Sequence, residues 1–300
     1  VPVAKSRRVK FSTAAIHLFF ILFSLSFLLP FVLIISVSMT SDRELLESGY
    51  RLLPLHIDWT AYRYVFANPS QMIDSYAITA FQAVGGTVLA VFVMALCAYP
   101  LSLPHYRLRN ATMFFIFFTM LFGGGLIPTY ILNTQYLHLG NKAAIYILPM
   151  LANAFHIIIL RTFFQGIPYA LAESAKMDGA RELTIFFRII LPLSKPVLAT
   201  IALFNLLDRW NDWFTSLIYV NNEKLYTLQY LLQKILMDVE FVKSMARDAP
   251  PGMFVGSALE VPTESMKFAM CIVAAGPMLI VFPFFQKYFA KGLTIGAVKG

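Results

Sequence analysis

Two stretches of this chain hold residue types that could act on a partner or a ligand. The first, residues 165–192, reads as a helix, a sharp turn and a second helix. Pro168 suits a first helical position, Tyr169 to Met177 can continue the helix, and Gly179 supplies the left-handed conformation that ends one. The second helix runs into Pro192 and Pro196, which mark entry to the next apolar block. Small side chains at Ala172, Ser174 and Ala175 permit close approach of another body, and Glu173 can accept hydrogen bonds or pair with a base. From these residues alone an amphipathic connector with solvated charges would look the same. In the second stretch, Asn205, Asp208, Arg209 and Asp212 recur every three to four residues and so share a helix face, with Trp210, Asn211 and Trp213 beside them. Asp212 falls one turn beyond Arg209, where pairing would lower the cost of holding either charge in an apolar block. The stripe lines a passage or a contact with another chain, or else it is an intrachain ion pair near a membrane surface; the sequence leaves both open.

Other chemistry finds little footing. His17, His56, His105, His138 and His156 are scattered without metal-ligand spacing, and no nucleophile–base or paired-carboxylate set falls in one segment. We expect no catalytic residue and no metal. The phosphate-binding pattern G-x-x-x-x-G-K-[ST] is missing from the sequence, and Gly123, Gly124 and Gly125 sit in an apolar block with no lysine following. These three glycines suit close helix packing or a break in a span better than ligand contact.

The elements that must position both stretches are set by composition. Of 300 residues, 58% are apolar and 13% charged, and the apolar ones gather in blocks near the length that crosses a bilayer. The blocks are 16–37, 73–98, 113–132, 145–163, 197–220 and 268–289. The fold expected is all-α, a polytopic membrane protein of about six transmembrane helices, with 1–15 as a cytoplasmic tail and 16–300 as the membrane domain. Pro30, Pro277 and Pro283 should kink spans without breaking them. The first block is too long for a signal-peptide core and no small-x-small site precedes Ser41, so it is expected to remain as a span. Cys97 and Cys271 lie in apolar blocks and read as small core residues, not a disulfide framework. With the N-terminus placed inside, 14 Lys and Arg fall on inner segments and 9 on outer ones, so both termini are expected in the cytoplasm. The same bias accounts for the net charge of +8 without nucleic acid. External segments 40–71 and 221–265 mix aromatic and charged residues; Tyr50, Leu53, Leu55, Trp59, Tyr62 and Tyr64 suit interfacial segments.

The loop 164–195, placed inside by the charge bias, resembles the cytoplasmic signature of ABC-importer permeases: Glu-Ala-Ala, three residues, Gly, nine residues, Ile, one residue, Leu-Pro. It stands as Glu173-Ser174-Ala175, Gly179, Ile189 and Leu191-Pro192, every spacing kept and one departure, Ser174 for Ala. Most of the chain further resembles the carbohydrate-uptake, maltose-type branch, through the strings beginning at Leu126, Arg161 and Trp210. The resemblance implies that the helix ending at Gly179 is a coupling helix seated on a cytoplasmic ATPase, with Glu173, Ser174, Ala175, Met177, Asp178, Gly179, Ala180, Ile189, Leu191 and Pro192 as its coupling residues. It also implies a second homologous permease, two ATPase subunits that bind ATP and Mg, an external substrate-binding protein, and the bacterial inner membrane. This chain itself would hold no cofactor and hydrolyse nothing.

Aromatic planes stack on sugar rings and Asn or Asp bonds hydroxyls, so Trp210, Asn211, Asp212 and Trp213 suit an oligosaccharide. Arg209 extends this to an acidic sugar, such as a uronic-acid oligomer of the alginate type. The rival readings are an ion-coupled secondary carrier working without an ATPase, which would show related halves, and a membrane-embedded enzyme, which would cluster acid, base or metal residues at one face.

Overall fold

The computed structural model describes residues 7–248 and 264–296, with side chains at 13–241, 244–245 and 264–283. Among the described residues every regular element is helical. α1 (Arg7–Ser38) is followed by two short helices, α2 (Asp42–Ser48) and α3 (Thr60–Val65). α4 (Pro69–Ser102) carries a π-turn at Phe81–Gly85. α5 (Arg109–Leu121) and α6 (Leu126–Tyr136) meet at 113°, and a 3₁₀ stretch (Ala143–Met150) meets α7 (Ala154–Gln165) at 50°. α8 (Ala170–Met177) precedes α9 (Glu182–Leu193), which meets α10 (Lys195–Trp210) at 79°. α11 (Phe214–Tyr219), α12 (Leu228–Asp248) and α13 (Glu264–Gly296) complete the order.

Helices within α1, α4 and α13 are long and apolar enough to cross a bilayer, and the three bent pairs raise the number to six if each is one span. Three of the six blocks are not the continuous helices the sequence suggested. The block at 145–163 changes from the 3₁₀ stretch ending at Met150 to α7 at Ala154. The block at 113–132 breaks at Phe122–Gly125, where Gly125 takes φ 84°. The block at 197–220 breaks at Asn211–Trp213, because α10 ends at Trp210. The prolines do not break their helices: Pro30 lies inside α1, and Pro277 and Pro283 inside α13.

The chain divides into two compact units. In the unit made of the chain through Asn68 and Lys234–Gly276, the Asp42 carboxylate caps α13. It accepts from the backbone N–H of Glu264 (3.2 Å) and Ser265 (3.0 Å) and from the Ser265 hydroxyl (2.7 Å). A cap of this kind stabilises a helix start by about 1 kcal/mol. Residues 13–31 of α1 present their apolar side chains outward all round, as a span does when lipid or another chain is its solvent. Cys271 on α13 is exposed and so does not serve as the core residue expected, whereas Cys97 on α4 packs against buried side chains.

The unit made of Pro69–Gln233 and the chain from Pro277 is built on α4 against α7. Ala90, Ala95 and Ala98 on α4 let that helix approach Ile157, Leu160 and Phe164 of α7 closely. In a bilayer, where apolar surface gains little from leaving lipid, such small-residue contact supplies much of the association energy. The same core takes in Ala172 of α8, Ile185, Phe186 and Ile190 of α9, and Val197 and Ile201 of α10. Through it α8 is fixed to the spans.

Candidate functional site

The loop 164–195 takes its shape from two local rules. α8 begins at Ala170, two residues after Pro168, and closes on a Schellman turn: Ala180 N–H donates to Ala175 O (2.9 Å) and Gly179 N–H to Lys176 O (3.0 Å). Gly179 takes φ 81°, and a Cβ there would meet open space, so the glycine is required by conformation and not by crowding. Arg181 is extended, and the chain re-enters helix at Glu182.

The turn sorts the signature residues onto two faces. Ala172 is buried in the core, and Ala175, Ala180, Ile189 and Leu191 pack against it. Leu171, Glu173, Ser174, Met177 and Asp178 are exposed, Met177 to 88%, and Gly179 and Pro192 are exposed as well. Ala172 and Ala175 thus face this chain's own spans and do not form the small outward face anticipated from the sequence. A helix surface cannot be both anchored and free, and the core claims the alanines because they admit the closest backbone approach. Behind the turn, Glu182 Oε1 accepts from Lys176 Nζ and Oε2 from Tyr99 Oη (2.8 Å) of α4. The hydrogen bond to Glu182 holds the Lys176 ammonium above the usual lysine pKa.

The second stretch is reorganised more deeply. Arg209 is only 2% exposed, and its guanidinium points at the 3₁₀ stretch, donating to Tyr146 O and Met150 O, both at 2.7 Å. Gly86 of α4 leaves room for it; a Cβ there would collide with the guanidinium. Gln82 Nε2 in turn donates to Arg209 O at the end of α10. Arg209 makes no ion pair with Asp212 among the described residues, contrary to the spacing argument, because α10 stops at Trp210 and Asp212 leaves the helical register. Asp212 Oδ1 instead accepts Thr215 N–H (3.0 Å) and helps start α11, while Asp212 O accepts the Thr227 hydroxyl (2.9 Å).

Asn205 is buried, its amide donating to Ile201 O (3.0 Å) and lying 3.1 Å from His156 Nδ1. Trp210 is buried too. Of the residues nominated for a substrate path, Asp208, Asn211 and Trp213 stay exposed, Asp212 is half-buried, and Asn205, Arg209 and Trp210 belong to the interior. Sequence reasoning passed over Gly86, which leaves room for the guanidinium, and Gln82, which bonds the Arg209 carbonyl. A glutamine and a glycine pair within one apolar span were the available signal. It also passed over Tyr146, whose hydroxyl reaches Ser216 (2.7 Å) and Leu225 O (2.7 Å).

Known proteins share this architecture. A crystal structure of a bacterial ABC transporter involved in the import of the acidic polysaccharide alginate matches at TM-score 0.75 and 32% identity, over 96% of this chain and all of that one. The polygalacturonan/rhamnogalacturonan transport system permease protein YtcP of Bacillus subtilis (strain 168) is 39% identical over 95% of this chain and 97% of its own length. Protein LplC of the same organism is 40% identical over 91% and 90%. The reading as an ion-coupled carrier acting without an ATPase falls with these matches. The family model described as binding-protein-dependent transport system inner membrane component matches residues 77–295. The chain belongs to that family, the multi-pass inner-membrane permeases of ABC importers.

Proposed function

We propose that this chain is one half of the membrane path of an ATP-driven importer for acidic oligosaccharides. It works with a second homologous permease, two ATPase subunits that bind ATP and Mg, and an external binding protein that delivers the cargo. α8 is the coupling helix, seated on one ATPase in the cytoplasm, and closure of the ATPases on ATP moves α8 and re-aims the spans between outward and inward access.

The observation that carries the reading is the two-faced geometry of α8. One face, Ala172 and Ala175, is packed into the permease core, while Leu171, Ser174, Met177 and Asp178 stand free. An exposed Leu–Met pair beside a carboxylate suits a cleft that is apolar at its base and polar at its rim. The positive-inside bias supports placing this loop with the ATPases, and both termini with it. Cysteine placed at Met177 tests it. In the assembled transporter, Met177→Cys should cross-link to a cysteine in the ATPase cleft; a failure to cross-link to any ATPase position would remove α8 from that interface.

The acidic cargo rests on similarity to YtcP, a polygalacturonan/rhamnogalacturonan permease, and to the importer of alginate. It no longer rests on Arg209, whose guanidinium is spent on backbone carbonyls. Of the nominated stripe, Asp208, Asn211 and Trp213 remain able to meet a sugar, since exposed polar groups near a spanning helix face water or another chain in preference to lipid. Tritrated or dye-labelled uronate oligomers and neutral oligosaccharides of equal length, offered to the cognate binding protein, should separate in favour of the uronates. Preference for the neutral series would overturn the cargo assignment.

A further inference from the structure

We infer that Glu182 is the positioning residue that ties movement of α8 to the spans; this rests on the proposed role of α8 as the coupling helix. Glu182 is not one of the fixed positions of the signature, falling among the nine unspecified residues between Gly179 and Ile189, yet its two carboxylate oxygens reach two different elements. Oε1 takes Lys176 Nζ from the last turn of α8, and Oε2 takes Tyr99 Oη from the end of α4 at 2.8 Å. His105, in the connector between α4 and α5, brings Nε2 to 3.9 Å from Oε1. Its Nδ1 lies 3.4 Å from Tyr169 Oη, just before α8. The Lys176 ammonium also lies over the Tyr169 ring, 5.9 Å from its centre.

The apolar contacts of α8 do not do this work. Ala172 and Ala175 touch the core through single methyl groups, which resist separation but not sliding. Packing is also incomplete there. A cavity of about 220 Å³ lies under the start of α8, lined by Tyr99, Ser102, Arg109, Gln165, Tyr169 and Ala172 among others. Where packing leaves that room, a directional two-oxygen bridge beside it, sharing Tyr99 with the cavity wall, is what converts a shift of α8 into a pull on α4. α4 carries the largest share of the core and, through Gln82 and Gly86, also meets Arg209 at the end of α10.

Lys176 and Glu182 are both partly solvated, and pairs of that kind contribute little to stability. Loss of the bridge should therefore show in coupling, not in folding. The experiment uses the complete transporter, with both permeases, the ATPases and the binding protein, in proteoliposomes, and measures sugar taken up per ATP hydrolysed. Glu182→Gln and, separately, Tyr99→Phe should each lower that ratio by at least roughly fivefold, the low end of coupling between sites. Tyr99→Phe removes one hydroxyl and keeps the ring, so it remains informative if Glu182→Gln assembles poorly. The exchanged pair Lys176→Glu with Glu182→Lys should recover part of the lost ratio, which a merely structural role would not predict. Met177→Arg on the exposed face serves as the reference. If Met177→Arg uncouples while Glu182→Gln and Tyr99→Phe transport at the wild-type ratio, the bridge is overturned and the coupling helix stands. If all three keep the wild-type ratio, the coupling helix assignment falls and the bridge with it.

Discussion

A guanidinium at 2% exposure is expensive, and Arg209 is tolerated because two carbonyls of a 3₁₀ stretch and a side-chain-free position on α4 are arranged around it. Main-chain carbonyls at a helical irregularity have lost their regular partners, so Arg209 satisfies groups that would otherwise be orphaned in a low-dielectric interior. Arg209→Gln should strand both carbonyls and destabilise the subunit by about 3 kcal/mol, as expected for two buried acceptors left unpaired. Thermal unfolding in detergent would read this as a clear drop in midpoint. If the variant keeps its stability and changes only cargo preference, Arg209 belongs to the path after all. Gly86→Ala should act in the same direction and cost about 1–3 kcal/mol, because the guanidinium is held by two bonds and cannot move aside freely.

At the scale of elements, the turn that closes α8 makes a graded forecast. Gly179 has space for a side chain but sits at φ 81°, so the penalty for substitution is conformational. Gly179→Asn, whose side chain tolerates the left-handed region, should retain most transport. Gly179→Ala should lose about 1 kcal/mol of turn stability, and Gly179→Pro more, about 3 kcal/mol, because proline fixes φ near −65° and deletes the N–H that Lys176 O accepts. Uptake per ATP by the three variants should fall in that order. Equal loss in all three would mean that the ATPase surface, and not the turn, demands glycine. The break at Phe122–Gly125 follows similar logic, with Gly125 at φ 84° ending one helical segment before another starts at Leu126. Broken helices in membranes persist only where protein or a water-filled cavity surrounds them.

For the whole molecule, co-purification with an ATPase subunit is the simplest expected outcome, and uptake by the purified chain alone under an ion gradient would contradict it. Outward-facing α1 and the exposed α5, which has no buried residue, are surfaces that lipid or the second permease must cover. Charged positions divide in the same way. The loop 164–195 and the N-terminal segment are net basic, and the long segments between spans carry most of the acids, so labelling from either side of sealed vesicles should reach Met177→Cys from the inner side alone. The uronate preference also belongs to this scale, because a binding protein and two permeases select cargo together.

The linear order of residues was enough for the membrane, the helical class and the shape of the loop. Each depends on local properties: the length of apolar runs, the conformation of Gly179, and fixed spacings from Glu173 to Pro192. It was also enough to single out Arg209, but not to say what Arg209 does. Helical spacing assigned it to Asp212 on the assumption of one continuous helix, and α10 ends two residues too early for that register. Its true partners, Tyr146 and Met150, lie about sixty residues away along the chain. Likewise, spacing alone could not tell which face of α8 looks inward. The alanines are claimed by a core drawn from α4, α7, α9 and α10, and Glu182 finds Tyr99 across 83 residues of sequence. Local periodicity fixes an element, whereas the partner of a buried charge and the free face of an anchored helix are decided by which distant elements fold against them.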